Sequence, residues 1–323
     1  MNTTANGSIC ASPLNPMAEK VGKAFAYSLI LFVSLVGNSL VVIIVFKTKS
    51  SRKPINLFIV NMAMSDLLYP VFYFPWFLIT MYVDSELLRG STGHALCKLA
   101  HFISFISSIV SIQTLILMAV DRFGAVIFPL RSPLFSSKLC ATFILTTWIV
   151  ATVVALPYTF AVKLVEYQGQ LICLIQWSEA FGESSTYANY LLAMNIVFLY
   201  IPIALLTTLY SIILIKLKSQ KIPGEQSVSV EEQRTKRNRK VLKMAVAIVL
   251  GFVVCWLPWS TLNLLTMFLW DGRLPCSTIL FWSITDFMSY SNCAINPCIC
   301  FLFSGNYRQG LRRLFACFRA VPE

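Results

Sequence analysis

Charge is what this 323-residue chain most lacks. Asp, Glu, Lys and Arg make up 12% of it, where a soluble domain carries about 25%. With 57% hydrophobic residues and a mean hydropathy of +0.72, that scarcity excludes an ordinary water-soluble globule. Histidine is scarcer still. His94 and His101 are the whole supply, both near the outer end of one apolar segment. They are too few for a metal site, and no grouping of nucleophile, base and acid points to an enzyme. Internal repeats are absent, as is any soluble domain longer than a loop. So are the paired halves or rings of charge that mark transporters and channels. Residues 1–10 are polar and lack the apolar core of a cleavable signal peptide. The first apolar segment is therefore expected to act as an uncleaved signal anchor.

What is present is seven long apolar runs, at 24–46, 55–83, 99–120, 139–162, 187–215, 244–270 and 277–303. Each is at least 22 residues, and a bilayer-spanning helix needs roughly 20. Asp66 and Asp286 are the only formal charges inside them. The chain is read as an all-α membrane protein, a bundle of seven spans. Loops alternating between the runs set its orientation. One face holds 20 of the 26 Lys and Arg but only five of the 14 Asp and Glu, and the positive face stays cytosolic. The N-terminus is then outside and the C-terminus inside. Two sequons, at Asn2 and Asn6, agree, since both lie in the N-terminal tail. The basic balance reflects topology and attraction to anionic lipid rather than nucleic-acid binding.

Residues 1–23 are expected to form an extracellular tail, 24–303 the bundle, and 304–323 an amphipathic helix with a short cytosolic tail. In that last segment Tyr307, Leu311, Leu314, Phe315 and Phe318 share a face, mostly opposite Arg308, Arg312, Arg313 and Arg319. The pattern suits a helix lying on the inner membrane surface, with Cys317 a candidate for palmitoylation. The charged run before the sixth apolar segment is expected to extend that helix inward.

Polar side chains at membrane depth are costly, so their positions inform. On the third run Ser104, Ser108, Ser111, Leu115, Met118 and Arg122 recur at helical spacing and define an inward face. Phe252, Trp256, Trp259 and Asn263 do the same on the sixth. On the seventh the stripe is Asp286, Tyr290, Cys293 and Asn296–Pro297. Asn38 and Asp66 fall where they could meet the lower parts of these stripes.

These residues, in order and at characteristic spacing, make the chain resemble the rhodopsin-like (class A) G-protein-coupled receptors along nearly its whole length. The landmarks are Gly37-Asn38, Asp66 within 61–67, Asp121-Arg122-Phe123, Trp148, Pro202 and Tyr210, Cys255-Trp256-Leu257-Pro258, and Asn296-Pro297. The resemblance implies an allosteric sodium pocket at Asp66, Ser111, Asn292 and Asn296, and no other cofactor. It implies a G-protein switch at Asp121 and Arg122, a packing switch at Ile112, Pro202 and Phe252 beneath Trp256, and kinks at Pro258 and Pro297. Pro129 and Leu130 fall in the inner loop facing the G protein. It implies a disulfide between Cys97 and Cys173. Two departures stand out: Cys300 occupies the place of the motif tyrosine, which would otherwise contact Tyr210, and Asn238 and Arg239 stand where many relatives place an acid.

The remaining cysteines within the runs, Cys140, Cys255, Cys293, Cys298 and Cys300, read as small packing residues. Cys10 and Cys276 both fall on the outer face and form a candidate second disulfide.

Exclusion narrows the ligand. The seventh run has Tyr290 and no Lys, which excludes a retinal Schiff base, and Ser104 replaces the acid that amine receptors carry. The buried acid is Asp286. With Trp76, Phe105, Trp256, Trp259 and Tyr290 as aromatic walls, and Ser104, Ser108 and Asn263 as polar contacts, it suits a cationic ligand. The stretch 53–61 and the 127–131 loop resemble neuropeptide receptors, nearest to those for amidated Arg-Phe, neuropeptide Y-like or galanin-like peptides. The expected partners are an extracellular peptide, a heterotrimeric G protein and membrane lipid, at the plasma membrane. A lipid or other small-molecule ligand, a receptor-like protein with altered or lost signalling, and a transporter or channel stay open as other readings.

Overall fold

The computed structural model describes residues 16–47, 54–82, 89–128, 135–167, 170–219 and 228–319. Its first span is α1 (Pro16–Lys47). The second is α2 (Pro54–Leu68), a wider π turn (Tyr69–Tyr73) and α3 (Phe74–Tyr82). The third is α4 (Ser91–Ile127) and the fourth α5 (Ser137–Ala161). A hairpin of β1 (Val162–Tyr167) and β2 (Gln170–Ile175) and the short α6 (Trp177–Phe181) lead to the fifth. That span is α7 (Tyr187–Asn195), a π turn (Ile196–Tyr200) and α8 (Ile201–Ser219). The sixth is α9 (Val228–Phe268), the seventh α10 (Ile279–Phe303), and α11 (Gly305–Arg319) follows.

Among the described residues, six spans are long and apolar enough to cross a membrane by length and composition. Helix α10 falls short of that measure because it carries Thr285, Asp286, Ser289, Asn292 and Asn296, yet it packs between α1 and α9. The surface of the spans is apolar, as the core is, with a few polar groups turned inward. Along α1, Val21, Phe25, Leu29, Phe32 and Val36 recur every three or four residues, with Ile43 two turns further on, and are exposed, while Ser34 and Asn38 are buried. An exposed apolar stripe with polar groups turned inward is stable only against lipid.

Prolines shape the spans. Pro70 and Pro202 lack an N–H for the carbonyl four residues back, and each lies in or just after a π turn that absorbs the lost bond. At Pro297 the orphan is the Cys293 carbonyl, and α1 satisfies it. Asn38 Nδ2 donates to it at 2.9 Å and Ser34 Oγ at 3.2 Å. The close approach requires Gly37, because a Cβ there would lie 2.8 Å from Pro297 Cβ.

The structure adjusts three expectations. Helix α1 starts at Pro16, so part of the expected 1–23 tail is helical, with a Lys23–Glu19 pair at 2.6 Å. On α11 Tyr307 and Leu314 are buried against the bundle while Phe315 is exposed, and Cys298, expected as a small packing residue, is exposed. The outer hairpin was not foreseen. It pairs antiparallel, with Leu164 opposite Cys173, and the Cys97–Cys173 disulfide (Cα–Cα 6.0 Å) pins it to the head of α4.

Candidate functional site

At the outer end, Asp286 on α10 lies among aromatic rings from α1, the second span and α10 itself. Its carboxylate is flanked by the hydroxyls of Tyr27 and Tyr290. The Tyr27 ring sits 4.5 Å from Phe77 and 5.5 Å from both Phe287 and Tyr290. Tyr290 shares a 2.6 Å hydrogen bond with Tyr73 and is 5.8 Å from Tyr69, centroid to centroid. Lys23 is within electrostatic reach of Asp286 but pairs with Glu19. Among the described residues no ion pair reaches Asp286.

A second aromatic group lies between the third, fourth and fifth spans. Phe105 stacks on Tyr158 at 5.2 Å, and Trp177 approaches Tyr190 at 4.7 Å. His101 joins the two groups, 5.8 Å from Tyr73 and 6.4 Å from Tyr158. His101 also sits beside the sulfurs of Cys97 and Cys173, but those are consumed in the disulfide, and His101 Nδ1 is 2.9 Å from the Cys97 carbonyl.

The expected pocket residues divide between these surfaces. Trp259 lies near the Asp286 carboxylate, although its Nε1 makes no hydrogen bond of good geometry, and Trp256 Nε1 is also without a partner. Their rings meet edge to face at 5.7 Å. Ser104 and Ser108 donate to their own helix, to His101 O and Phe105 O, leaving only acceptor capacity. Asn263 likewise donates to Trp259 O at 2.8 Å. Trp76 is instead buried, 6% exposed, beneath the hairpin with Cys97, Val162 and Leu164. Tyr27, Tyr69 and Tyr73 were not foreseen. Their spacing on otherwise apolar runs carries no signal until α1 and the second span are set beside α10.

One level in, Asp66 is fully buried. Ser111 Oγ donates to Oδ1 at 3.2 Å and Asn296 Nδ2 to Oδ2 at 2.8 Å. The Oδ1 atoms of Asn292 and Asn296 are buried without a donor. A carboxylate, a hydroxyl and two unpartnered amide oxygens form an oxygen-rich, donor-poor set that fits a small hard cation. Beside it Trp148 Nε1 donates to Asn61 Oδ1, and Asn61 Nδ2 to Thr114 Oγ1, each at 2.8 Å. Ile112, Pro202 and Phe252 are buried, and Phe252 lies 6.2 Å from Trp256.

At the inner end, Arg122 is held by its neighbour, Nε 3.0 Å from Asp121 Oδ2. A small cleft lined by Arg122, Ala125, Val126, Ile213 and Leu242 opens there. Buried Tyr210 lies within electrostatic reach of Arg122. Arg239 donates to Leu217 O at 3.3 Å and so ties the sixth span to the fifth. Cys300, in the place of the motif tyrosine, is 1% exposed.

Residues 37–299 match the model of the family described as 7 transmembrane receptor (rhodopsin family). The chain belongs to that family of receptors. The receptor is 31% identical to a QRFP-like peptide receptor from Branchiostoma floridae, over 94% of this chain and 80% of that one. It is 30% identical to an allatostatin-A receptor from Bombyx mori, over 90% and 78%. With galanin receptor 2a from Danio rerio it shares 28% identity, over 93% and 79%. The family consists of multi-pass membrane receptors, not enzymes, and apart from Glu19, Lys23 and Tyr27 on α1 and Cys300 on α10 the residues of the three levels lie within the matched range.

Other expected sites fall elsewhere. Asn2, Asn6, Cys10, Pro129 and Leu130 lie outside the described residues. Cys276 is disulfide-bonded. Cys317 lies on α11, with its side chain outside the described ones. Tyr307, at the start of α11, is buried at 5% exposed, and its hydroxyl has no partner. Burial, and then nearby Cys300, push its phenol above the usual range, so it remains an O–H donor. A buried hydroxyl left unpaired costs about 1–3 kcal/mol.

Proposed function

We propose that this receptor binds a peptide carrying a cationic group in its outer pocket and activates a heterotrimeric G protein through its inner cleft. It sits in the plasma membrane with its N-terminus outside. One observation carries the ligand chemistry: Asp286 is a carboxylate enclosed by aromatic rings with no cation paired to it among the described residues. A ligand ammonium or guanidinium completes such a site by charge and by cation–π attraction. The unpartnered indole N–H groups of Trp256 and Trp259 suit acceptors such as peptide carbonyls. The Phe105–Tyr158 and Trp177–Tyr190 surfaces suit an apolar or aromatic neighbour of the charged residue. The printed names of the relatives, a QRFP-like peptide receptor, a galanin receptor and an allatostatin-A receptor, support a peptide.

Below the pocket, Asp66, Ser111, Asn292 and Asn296 would hold a sodium ion, whose charge would neutralise Asp66 and favour the resting arrangement. At the inner end, release of Arg122 from Asp121 would free the guanidinium for the G protein. Breaking the Arg239–Leu217 tie would let the sixth span swing at Pro258.

The test is nucleotide exchange on purified G proteins, with the receptor in lipid nanodiscs and a panel of basic and neutral peptides. Exchange driven by basic peptides is expected. A response to lipids alone, or ion flux without exchange, would contradict the reading.

A further inference from the structure

We propose that Tyr307, on α11, supplies the switch hydroxyl that Cys300 removes from the seventh span. Three observations meet there. Cys300, buried on the last turn of α10, offers no hydroxyl. Tyr307 follows after the chain turns at Ser304, is packed edge to face on Phe301 at 6.2 Å, and lies within electrostatic reach of Cys300. Its own hydroxyl is buried and unpartnered while Arg122 is still paired with Asp121. A phenylalanine would fill the same space without that cost, so the hydroxyl calls for a role that this arrangement does not supply. A group unsatisfied in one state and satisfied in another shifts the balance toward the second. The partner is a water, or a backbone carbonyl, reached when the inner cleft opens. Tyr307 is thus a positioning residue that destabilises rest and stabilises the open arrangement, delivered from a different helix than the family's motif tyrosine.

The inference rests on the receptor reading above, and Tyr307→Phe tests it with two readouts. Without ligand, the melting temperature of the purified receptor should rise, by about 2 °C, because an unsatisfied group is gone. Maximal agonist-driven nucleotide exchange should fall about threefold or more, the effect of one lost hydrogen bond, with surface expression unchanged. A lower melting temperature would show the hydroxyl already bonded at rest, and unchanged exchange would show it idle in the open state; either overturns the proposal. A wild-type receptor that drives no exchange would break the receptor reading instead, and the melting arm still tests the resting half.

Discussion

Asp66 and Asp286 are the two acids inside the apolar runs, and the structure treats them oppositely. Asp66 is fully buried and receives hydrogen bonds from two neighbouring spans. Asp286 is half-buried, flanked by tyrosine hydroxyls and ringed by aromatic faces. A carboxylate at membrane depth needs compensation. Asp66 finds much of it within the protein, and the unpartnered oxygens of Asn292 and Asn296 beside it are of the kind a small hard ion takes as ligands. Asp286 is supplied with neutral tyrosine hydroxyls but, among the described residues, no paired cation, and on the proposed reading the ligand brings that charge. On the proposed reading, the surroundings of an acid, more than its presence, separate an internal ion site from a ligand site.

The largest effect that could break this comparison is expected from Asp286→Asn. Removing one partner of a desolvated pair costs about 2–5 kcal/mol. The potency of a basic peptide agonist should therefore fall by well over tenfold in dose–response curves, with surface expression and sodium sensitivity retained. Asp66→Asn should do the reverse. Sodium should cease to weaken agonist binding in competition assays, while the preference for basic over neutral peptides survives. If Asp66→Asn abolished that preference, the two sites would not be separate.

Asn38→Ala removes a donor to the Cys293 carbonyl that Pro297 orphans. It should destabilise the ligand-free receptor by about 1–3 kcal/mol, read as a lower melting temperature, with ligand selectivity intact. The smallest effect is expected from Tyr73→Phe, which leaves the ring but breaks the 2.6 Å bond to Tyr290. A loss of about 0.5–1.5 kcal/mol predicts a few-fold drop in potency for basic agonists. No drop, or an equal one for neutral peptides, would mean that the tyrosine cage does not tune Asp286.

Much of the bundle was legible in the sequence because lipid imposes a simple code of length and missing charge. The same holds for Asp66, Ser111 and Asn296, since polar residues at depth must meet one another. What was not legible depends on tertiary approach. Trp76 near the outer end of a span reads the same whether it faces a ligand or supports a hairpin, and the structure puts it under β1. Tyr27 and Tyr73 gain meaning only when α1 and the second span converge on α10. The hairpin itself, Val162–Tyr167 with Gln170–Ile175, continues an apolar run that length alone assigns to a helix end. Tyr307 was visible as part of an amphipathic face, but its orphaned hydroxyl could not be seen without its surroundings.

The central claim, that Asp286 is the counter-ion of a cationic ligand, is tested most directly by a double-mutant cycle. The affinity of one basic peptide agonist and of its analogue with arginine replaced by neutral citrulline is measured on the wild-type receptor and on Asp286→Asn. The account predicts strong discrimination between the two peptides by the wild type and its near-complete loss in the variant. Equal discrimination by both receptors would contradict it.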